Sequence, residues 1–276
     1  MTIAHFSDPH FGRIAHPGIV DALIEEVNTP DVDLVAISGD LTQRARRSEF
    51  ARARAMLNAI EAPVLVVPGN HDVFPWWMPW RRLSRPLGRY RSLISQDLTP
   101  SFTQNGVAVL GLSSAHGATI KGGRLTAQSL AALDGFFDDH DGDTFKVVVL
   151  HHHLTKIRAL GHHDIVRSAQ DALDTAIDAG VDLILCGHLH ISHIEPVEIV
   201  PGEHRLVIAS AGTATSNRGR KWHRKTNFYN RIRVAPESFA IEERRYLPET
   251  GAFVRDSVTT FDRTPVPSEE ASSASS

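Results

Sequence analysis

Five short clusters in the chain carry oxygen and imidazole donors: Asp8 with His10, Asp40, Asn70 with His71 and Asp72, the run His151, His152 and His153, and His188 with His190. Carboxylate and amide oxygens ligate hard divalent cations, and neutral imidazole is a common ligand of transition metals. An aspartate can bridge two cations, using both oxygens or sharing one, and offsets their charge. Asn70 adds a carbonyl oxygen without adding charge. Two donors separated by one residue, as in Asp8/His10 and His188/His190, can converge where an extended strand becomes a loop. Three consecutive histidines cannot all face one way, so one or two of residues 151–153 are expected to be functional.

Taken singly, each cluster has an ordinary reading as a turn or helix start with incidental polar side chains. His152, His153, His162 and His163 in particular read as satisfied structural histidines. The elements in front of the clusters change this. Short branched-apolar runs at 2–6, 33–37, 63–67, 107–112, 146–150 and 182–185 read as strands, most of them buried on both faces. Helix-period patterns occupy 17–27, 46–60, 126–137 and 165–179, with Thr126 and Asp164 as expected N-caps. Every donor cluster therefore follows directly on a strand, at the carboxyl edge where open α/β sheets bind ligands. Glycines at 39, 69 and 187 permit tight exits from three of those strands.

Three later runs, 205–209, 228–234 and 239–245, read as strands of a second sheet within the same domain. No internal repeat or interdomain linker is visible, so residues 1–258 form one expected domain. The polar tail 259–276 lacks the apolar content to offset ordering entropy and is expected to be disordered.

Composition narrows the classes. The formal charge of −3, from 29 basic and 32 acidic residues, gives no bulk basis for nucleic-acid binding. A single cysteine, Cys186, excludes an intrachain disulfide framework and fits a reducing compartment. No signal-peptide signature precedes the first strand, and no apolar run approaches the roughly 20 residues that span a bilayer, so a cytoplasmic location is expected.

The ordered pattern Asp8-x-His10, Gly39-Asp40, Gly69-Asn70-His71-Asp72, His151 and Gly187-His188-x-His190 resembles the calcineurin-like metallophosphoesterase superfamily over residues 1–245. Ser38-Gly39-Asp40-Leu41-Thr42 and the compact layout look most like its class III cyclic-nucleotide phosphodiesterase and glycerophosphodiesterase branch. The resemblance implies an α/β fold, a four-layer αββα sandwich with a metal pair at the sheet edge. It implies one metal on Asp8, His10, Asp40 and His190, and the other on Asp40, Asn70, His151 and His188. His152 is the alternative register for His151, and His153-Leu154 stands where many relatives place proline after a histidine pair.

The chemistry expected is hydrolysis of a phosphodiester by metal-bound hydroxide attacking phosphorus. His71 would donate a proton to the leaving group or stabilise its charge, and Asp72 would orient His71 or tie down the turn. The imidazole and oxygen mixture suits manganese and/or iron, with zinc also compatible. Small cyclic nucleotides or glycerophosphodiesters are the leading substrates, and related small phosphodiesterases often form homodimers. A non-enzymatic scaffold on the same fold is the reading from another class. It would call for incomplete donor sets, and every expected donor type is present.

Residues 74–91 break the α/β pattern with Phe74, Trp76, Trp77, Met78 and Trp80, followed by Arg81, Arg82, Arg85, Arg89 and Arg91. The segment reads as an apolar excursion, a substrate cap, a subunit contact or a peripheral membrane contact. The last would suit a lipid-linked phosphate or a nucleotide-lipid pyrophosphate. Further substrate contacts are sought at Trp76, Trp77, Trp80 and His116. Arg124 in Lys121-Gly122-Gly123-Arg124, and Asn217 and Arg218 beside Arg220, complete that set.

Overall fold

The structure, a computed structural model, describes residues 1–119, 122–157, 160–161, 163–198 and 205–263. His162, Lys121 and residues 264–276 of the tail lie outside the described residues. The first sheet has the order β12-β11-β10-β1-β2-β3, formed by Ala252–Asp262, Ser238–Leu247, Phe228–Val234, Thr2–Phe6, Leu34–Ile37 and Val64–Val66. The second has the order β4-β5-β6-β7-β9-β8, formed by Ser101–Gln104, Val107–Leu112, Phe145–Leu150, Leu183–Cys186, Arg205–Ser210 and His193–Glu198.

Alternation along each strand sorts its side chains into two interfaces. Ile3, Leu34 and Leu65 of the first sheet join Val109, Val147 and Leu185 of the second in one core between the sheets. The opposite face of the first sheet, with Ala4, Phe6 and Val35, packs on α1 (Ile19–Val27) and α2 (Arg47–Ala59) through Leu23, Phe50 and Ala53. Val148 and Ile184 do the same for the second sheet, against Leu133 of α5 (Ala127–Asp138) and Ala172 of α6 (Ala169–Asp178). Three interfaces stack four layers in the order helices, sheet, sheet, helices. No helix among the described residues is long and apolar enough to cross a membrane.

Strands β1, β2 and β3 run parallel, as do β6 and β7, so their carboxyl ends lie side by side. Thr126 caps α5 as expected, accepting from the Ser129 amide at 3.2 Å. Other expectations need correction. Helix α6 starts at Ala169 behind Ser168, because Val166 and Arg167 donate their amides to His153 and Gly123 at 3.0 and 3.1 Å. Asp164 is therefore not its N-cap. Helix α1 starts after Gly18, whose left-handed φ of 78° excludes positions 17 and 18 from the helix.

The late strands do not make a sheet of their own. β9 adds to the second sheet beside β7, whereas β10 pairs antiparallel with β1 in the first. β12 continues to Asp262, past the expected boundary at 258, held by pairing with β11 and by Phe261, which is buried in the core between the sheets. Residues 74–91 contain α3 (Pro79–Ser84) and the start of α4 (Gly88–Leu93).

Candidate metal centre

The five loops at the parallel strand ends bring their donors together. Asp8, His10, Asp40 and His190 are all buried, with one ligating atom from each lying within 4.8 Å of the others. The carboxylates are oriented from behind. Asp8 Oδ2 accepts from the His188 amide at 2.9 Å, and Asp40 Oδ1 accepts from the His71 amide at 2.7 Å. Their other oxygens, Asp8 Oδ1 and Asp40 Oδ2, are buried without a hydrogen-bond partner. Asp8 Oδ1 instead faces Nε2 of His10 and His190 at 3.4 and 3.3 Å. Asp40 Oδ2 faces Nε2 of His10 and His151 at 3.6 and 3.3 Å.

A second set shares Asp40. Asn70 Oδ1 lies 3.2 Å from His151 Nε2 and 3.0 Å from His188 Nδ1. Asp40 Oδ2 therefore stands between the two sets, the placement a bridging carboxylate needs. His152 also puts a ring nitrogen within 4.8 Å of those of His151 and His188, although its Nδ1 lies 2.8 Å from Ser114 Oγ. These orphaned oxygens, buried among imidazoles, fit two divalent cations. The clusters define a potential dinuclear metal site.

Backbone hydrogen bonds orient the rings. His10 Nδ1 approaches the Thr42 carbonyl at 3.1 Å and His151 Nδ1 the Ser38 carbonyl at 2.7 Å, which leaves each Nε2 for the centre. His5, which the sequence did not single out, lies beneath: its Nε2 is 2.9 Å from Ser38 Oγ. The Thr213 and Thr215 hydroxyls hold the Asp8 and Pro9 carbonyls at 2.8 and 2.9 Å.

The local backbone is costly. Asp8, His10, Asp40, His188 and His190 are five of the eight non-glycine residues with positive φ among those described. Such conformations cost on the order of 1 kcal/mol or more each and cluster at functional sites. Two glycines permit the close approach of the loops. A Cβ at Gly69 would sit 2.1 Å from Asp40 Oδ1, and one at Gly187 would sit 1.8 Å from Ser7 Oγ.

Electrostatics follow from burial and the crowding of charge. Burial disfavours ionised Asp40, yet His151, His71 and His10 together hold its carboxyl well below the ordinary range. Asp8 is also lowered, with His190 and His10 outweighing burial. Burial pushes His188 well below its usual value, helped by His152 and His151, and takes His190 to about 3. His151 goes the other way, to about 9, because Asp40 and Asp8 overcome its burial. Asp8 and Asp40 are thus ionised and His188 and His190 neutral, the states that ligation requires, whereas His151 would release a proton on binding a cation.

The remaining predicted residues separate. His71 Nδ1 lies 2.7 Å from the Gln43 carbonyl, and its Nε2 receives a 2.8 Å hydrogen bond from Arg218. Asp72 does not bond the His71 ring; its carboxylate accepts from the amides of Leu41, Thr42 and Gly69 at 3.1, 2.9 and 3.0 Å. Trp76, Trp77 and Arg218 line a cavity that opens beside Asn70 and His71. Trp80, His116, Arg124 and Asn217 do not line it. Trp80 is 85% exposed, and His116 Nδ1 caps its own turn by accepting from the Ala118 amide at 3.1 Å. His153 and His163 are engaged structurally, by Ser210 at 3.1 Å and by the Ile157 amide at 3.2 Å.

Two sheets between helices, with a potential dinuclear metal site at their edge, are the architecture of the metallophosphoesterase fold. The chain belongs to the calcineurin-like phosphoesterase family, whose model matches residues 1–192. It is 29% identical over 162 residues to the glycerophosphodiester phosphodiesterase GpdQ of Enterobacter lignolyticus, covering 55% of this chain and 56% of that protein. It is 27% identical over 162 residues to the 3',5'-cyclic adenosine monophosphate phosphodiesterase CpdA of Haemophilus influenzae, covering 58% and 55%. The chain thus spans little more than half the length of these curated relatives. A dimetal phosphatase from Danio rerio superposes with a TM-score of 0.65 over 96% of this chain and 99% of that one, at 14% identity. The yellow lupin purple acid phosphatase PPD1 gives 0.68 over 95% and 54%, at 11% identity. These structural likenesses are of fold.

Proposed function

We propose that the chain is a metal-dependent phosphodiesterase acting on a small diester of the cyclic-nucleotide or glycerophosphodiester class. The observation that carries this reading is Asp40 Oδ2, buried, unbonded and common to both donor sets. In this reading Asp8, His10, Asp40 and His190 hold one ion, and Asp40, Asn70, His151 and His188 the other, with manganese and/or iron favoured and zinc compatible. When bound, the ions supply an activated water and neutralise charge developing on the phosphoryl oxygens.

The chain's own residues place the substrate. His71 lines the cavity with its Nε2 bonded to Arg218, and burial keeps this ring neutral, with its pKa lowered to about 4. This favours a role in orienting Arg218 and the ester over donating a proton. Asp72 is a positioning residue that fastens the loop of Asp40 to the loop of Asn70. The names of the two curated relatives support the substrate class.

The test is hydrolysis by the purified full chain of bis(p-nitrophenyl) phosphate, cyclic nucleotides and glycerophosphodiesters, after reconstitution with each metal. Metal-dependent turnover of diesters above monoesters is expected. No turnover with any metal, or turnover that survives Asp40→Ala with metal content unchanged, overturns the reading.

A second reading rests on the exposure of Trp76, Trp77, Trp80 and Leu83, at 68, 45, 85 and 67%. Exposed aromatic and apolar groups beside arginines suit a lipid-linked phosphate met at a membrane surface. Activity on a detergent-dispersed lipid phosphoester that collapses when the three tryptophans are replaced would favour it over the soluble diester.

A further inference from the structure

The cavity beside the metal centre has a charge that a diester alone does not use. It has a volume of about 330 Å³, with Asn70 and His71 at the metal side and Trp76 and Trp77 on its wall. Among the described residues, Arg44, Arg82 and Arg218 line it, and no aspartate or glutamate does. The arginines come from three separate segments, two loops and helix α3, so no single amphipathic segment explains their convergence.

None of the three forms an ion pair with a carboxylate among the described residues; the arginine pairs there belong to Arg231, Arg233, Arg244, Arg245 and Arg255. Arg82 is buried, and among the described residues its guanidinium donates to backbone carbonyls, those of Phe74, Gly117 and Thr119. Arg218 donates to two neutral acceptors, His71 Nε2 at 2.8 Å and Gln43 Oε1 at 3.3 Å. Arg44 lies over the Trp77 ring, 5.4 Å from its centroid. Arg44 and Arg218 thus carry charge that no carboxylate among the described residues pairs, and guanidinium matches phosphate in bidentate geometry. The neighbouring carboxylates, Asp8 and Asp40, face the metal centre instead.

We propose that this cavity is a subsite for a second phosphate group, so that the substrate is a phosphodiester carrying a further phosphate on the part that lies over Trp76 and Trp77. The proposal rests on the phosphodiesterase reading and deepens it. It ranks glycerophosphodiesters by charge: a phosphorylated headgroup is favoured, a neutral one is intermediate, and a choline headgroup is repelled by the three cations.

Three substrates with one diester core test it: glycerophosphoglycerol, its terminally phosphorylated derivative and glycerophosphocholine. On the metal-loaded full chain, kcat/KM for the phosphorylated compound should exceed that for glycerophosphoglycerol by about tenfold or more, as expected of charge-assisted contacts. The difference should lie mainly in KM and shrink with added salt. Arg44→Gln and Arg218→Gln should each bring the ratio toward one, whereas Arg85→Gln, outside the cavity, should leave the ratio as it is. Equal rates, a preference for choline, or a ratio unmoved in both cavity variants overturns the proposal while leaving the phosphodiesterase reading intact.

If no diester is turned over, that reading fails, and a binding measurement still decides the subsite. Inorganic pyrophosphate added to the full chain, with and without metal, should perturb tryptophan fluorescence in a salt-sensitive way that is weakened in Arg44→Gln and Arg218→Gln. No perturbation in the wild-type chain overturns the subsite.

Discussion

Asp72 is fastened to Thr42 twice, its Oδ1 accepting from the Thr42 amide and hydroxyl at 2.9 Å each. The other oxygen takes the amides of Leu41 and Gly69 at 3.1 and 3.0 Å, so one carboxylate ties the loop of Asp40 to the loop of Asn70. Asp72→Ala leaves buried amides without an acceptor, at a cost of about 1–3 kcal/mol for each group left unsatisfied. The variant should lose on the order of 3 kcal/mol of unfolding free energy in denaturant titrations and bind metal more weakly. A change below about 0.5 kcal/mol, the size typical of surface substitutions, would show that the two loops hold without it.

Asp40 stands between two donor sets, whereas Asn70 belongs to one. Asp40→Ala should therefore lower the bound metal toward none per chain, and Asn70→Ala toward one. Metal content by elemental mass spectrometry after gel filtration distinguishes the two cases. Identical stoichiometry in both variants would argue against a shared carboxylate.

Removal of metal should itself leave a mark on stability. Asp8 and Asp40 face the same small volume with their unbonded oxygens, and chelation removes the charge that offsets them. The melting temperature should fall on adding chelator and recover with metal, because ligand bound only to the native state stabilises it by mass action. An unchanged melting point in a chain that demonstrably loses its metal would contradict this.

His5 sets a pH dependence. Burial lowers its pKa from the ordinary 6.5 to about 3, against a smaller upward pull from Asp8. The unfolded chain thus binds a proton that the folded one refuses. The stability from keeping His5 neutral is complete above pH 6.5 and is lost as pH falls toward 3, with a slope of up to about 1.4 kcal/mol per pH unit for one proton. His5→Gln keeps a donor toward Ser38 and should reduce the slope of denaturation curves across the window by the share of one proton, the rest belonging to groups such as His71, His188 and His190. A slope identical to that of the wild-type chain would show that His5 contributes no proton to it.

Arg82 closes the segment that carries the tryptophans, since its guanidinium joins Phe74 to Gly117 and Thr119. Arg82→Ala should loosen residues 74–86, and limited chymotrypsin digestion should cut there sooner than in the wild-type chain. Protection equal to wild type would show that α3 is held by other contacts.

The donor clusters were legible because each follows an apolar strand, and parallel strands β1, β2 and β3 align their exits by construction. That logic located Asp8, Asp40 and Asn70 without any knowledge of distances. It did not reveal His5, because a histidine inside a strand carries no signal of what lies across the sheet; its partner Ser38 is 33 residues away. The order of the late strands was equally hidden. β10 and β9 have similar branched-apolar patterns, yet they enter different sheets, a choice made by long-range pairing with β1 and β7. The start of α6 failed for a local reason: its periodicity extends upstream, but loops capture the amides of Val166 and Arg167. Residue type alone could not separate Trp77, which lines the cavity, from Trp80, which faces solvent.

The left-handed backbone at Asp8, His10, Asp40, His188 and His190 also bears on how quickly ions enter and leave. Because folding has already fixed these unfavourable dihedrals, an arriving ion finds its ligands aimed and has little protein to rearrange. Exchange at such a centre is governed by the shedding of the ion's own hydration shell. A sluggish ion such as nickel should then load far more slowly than manganese.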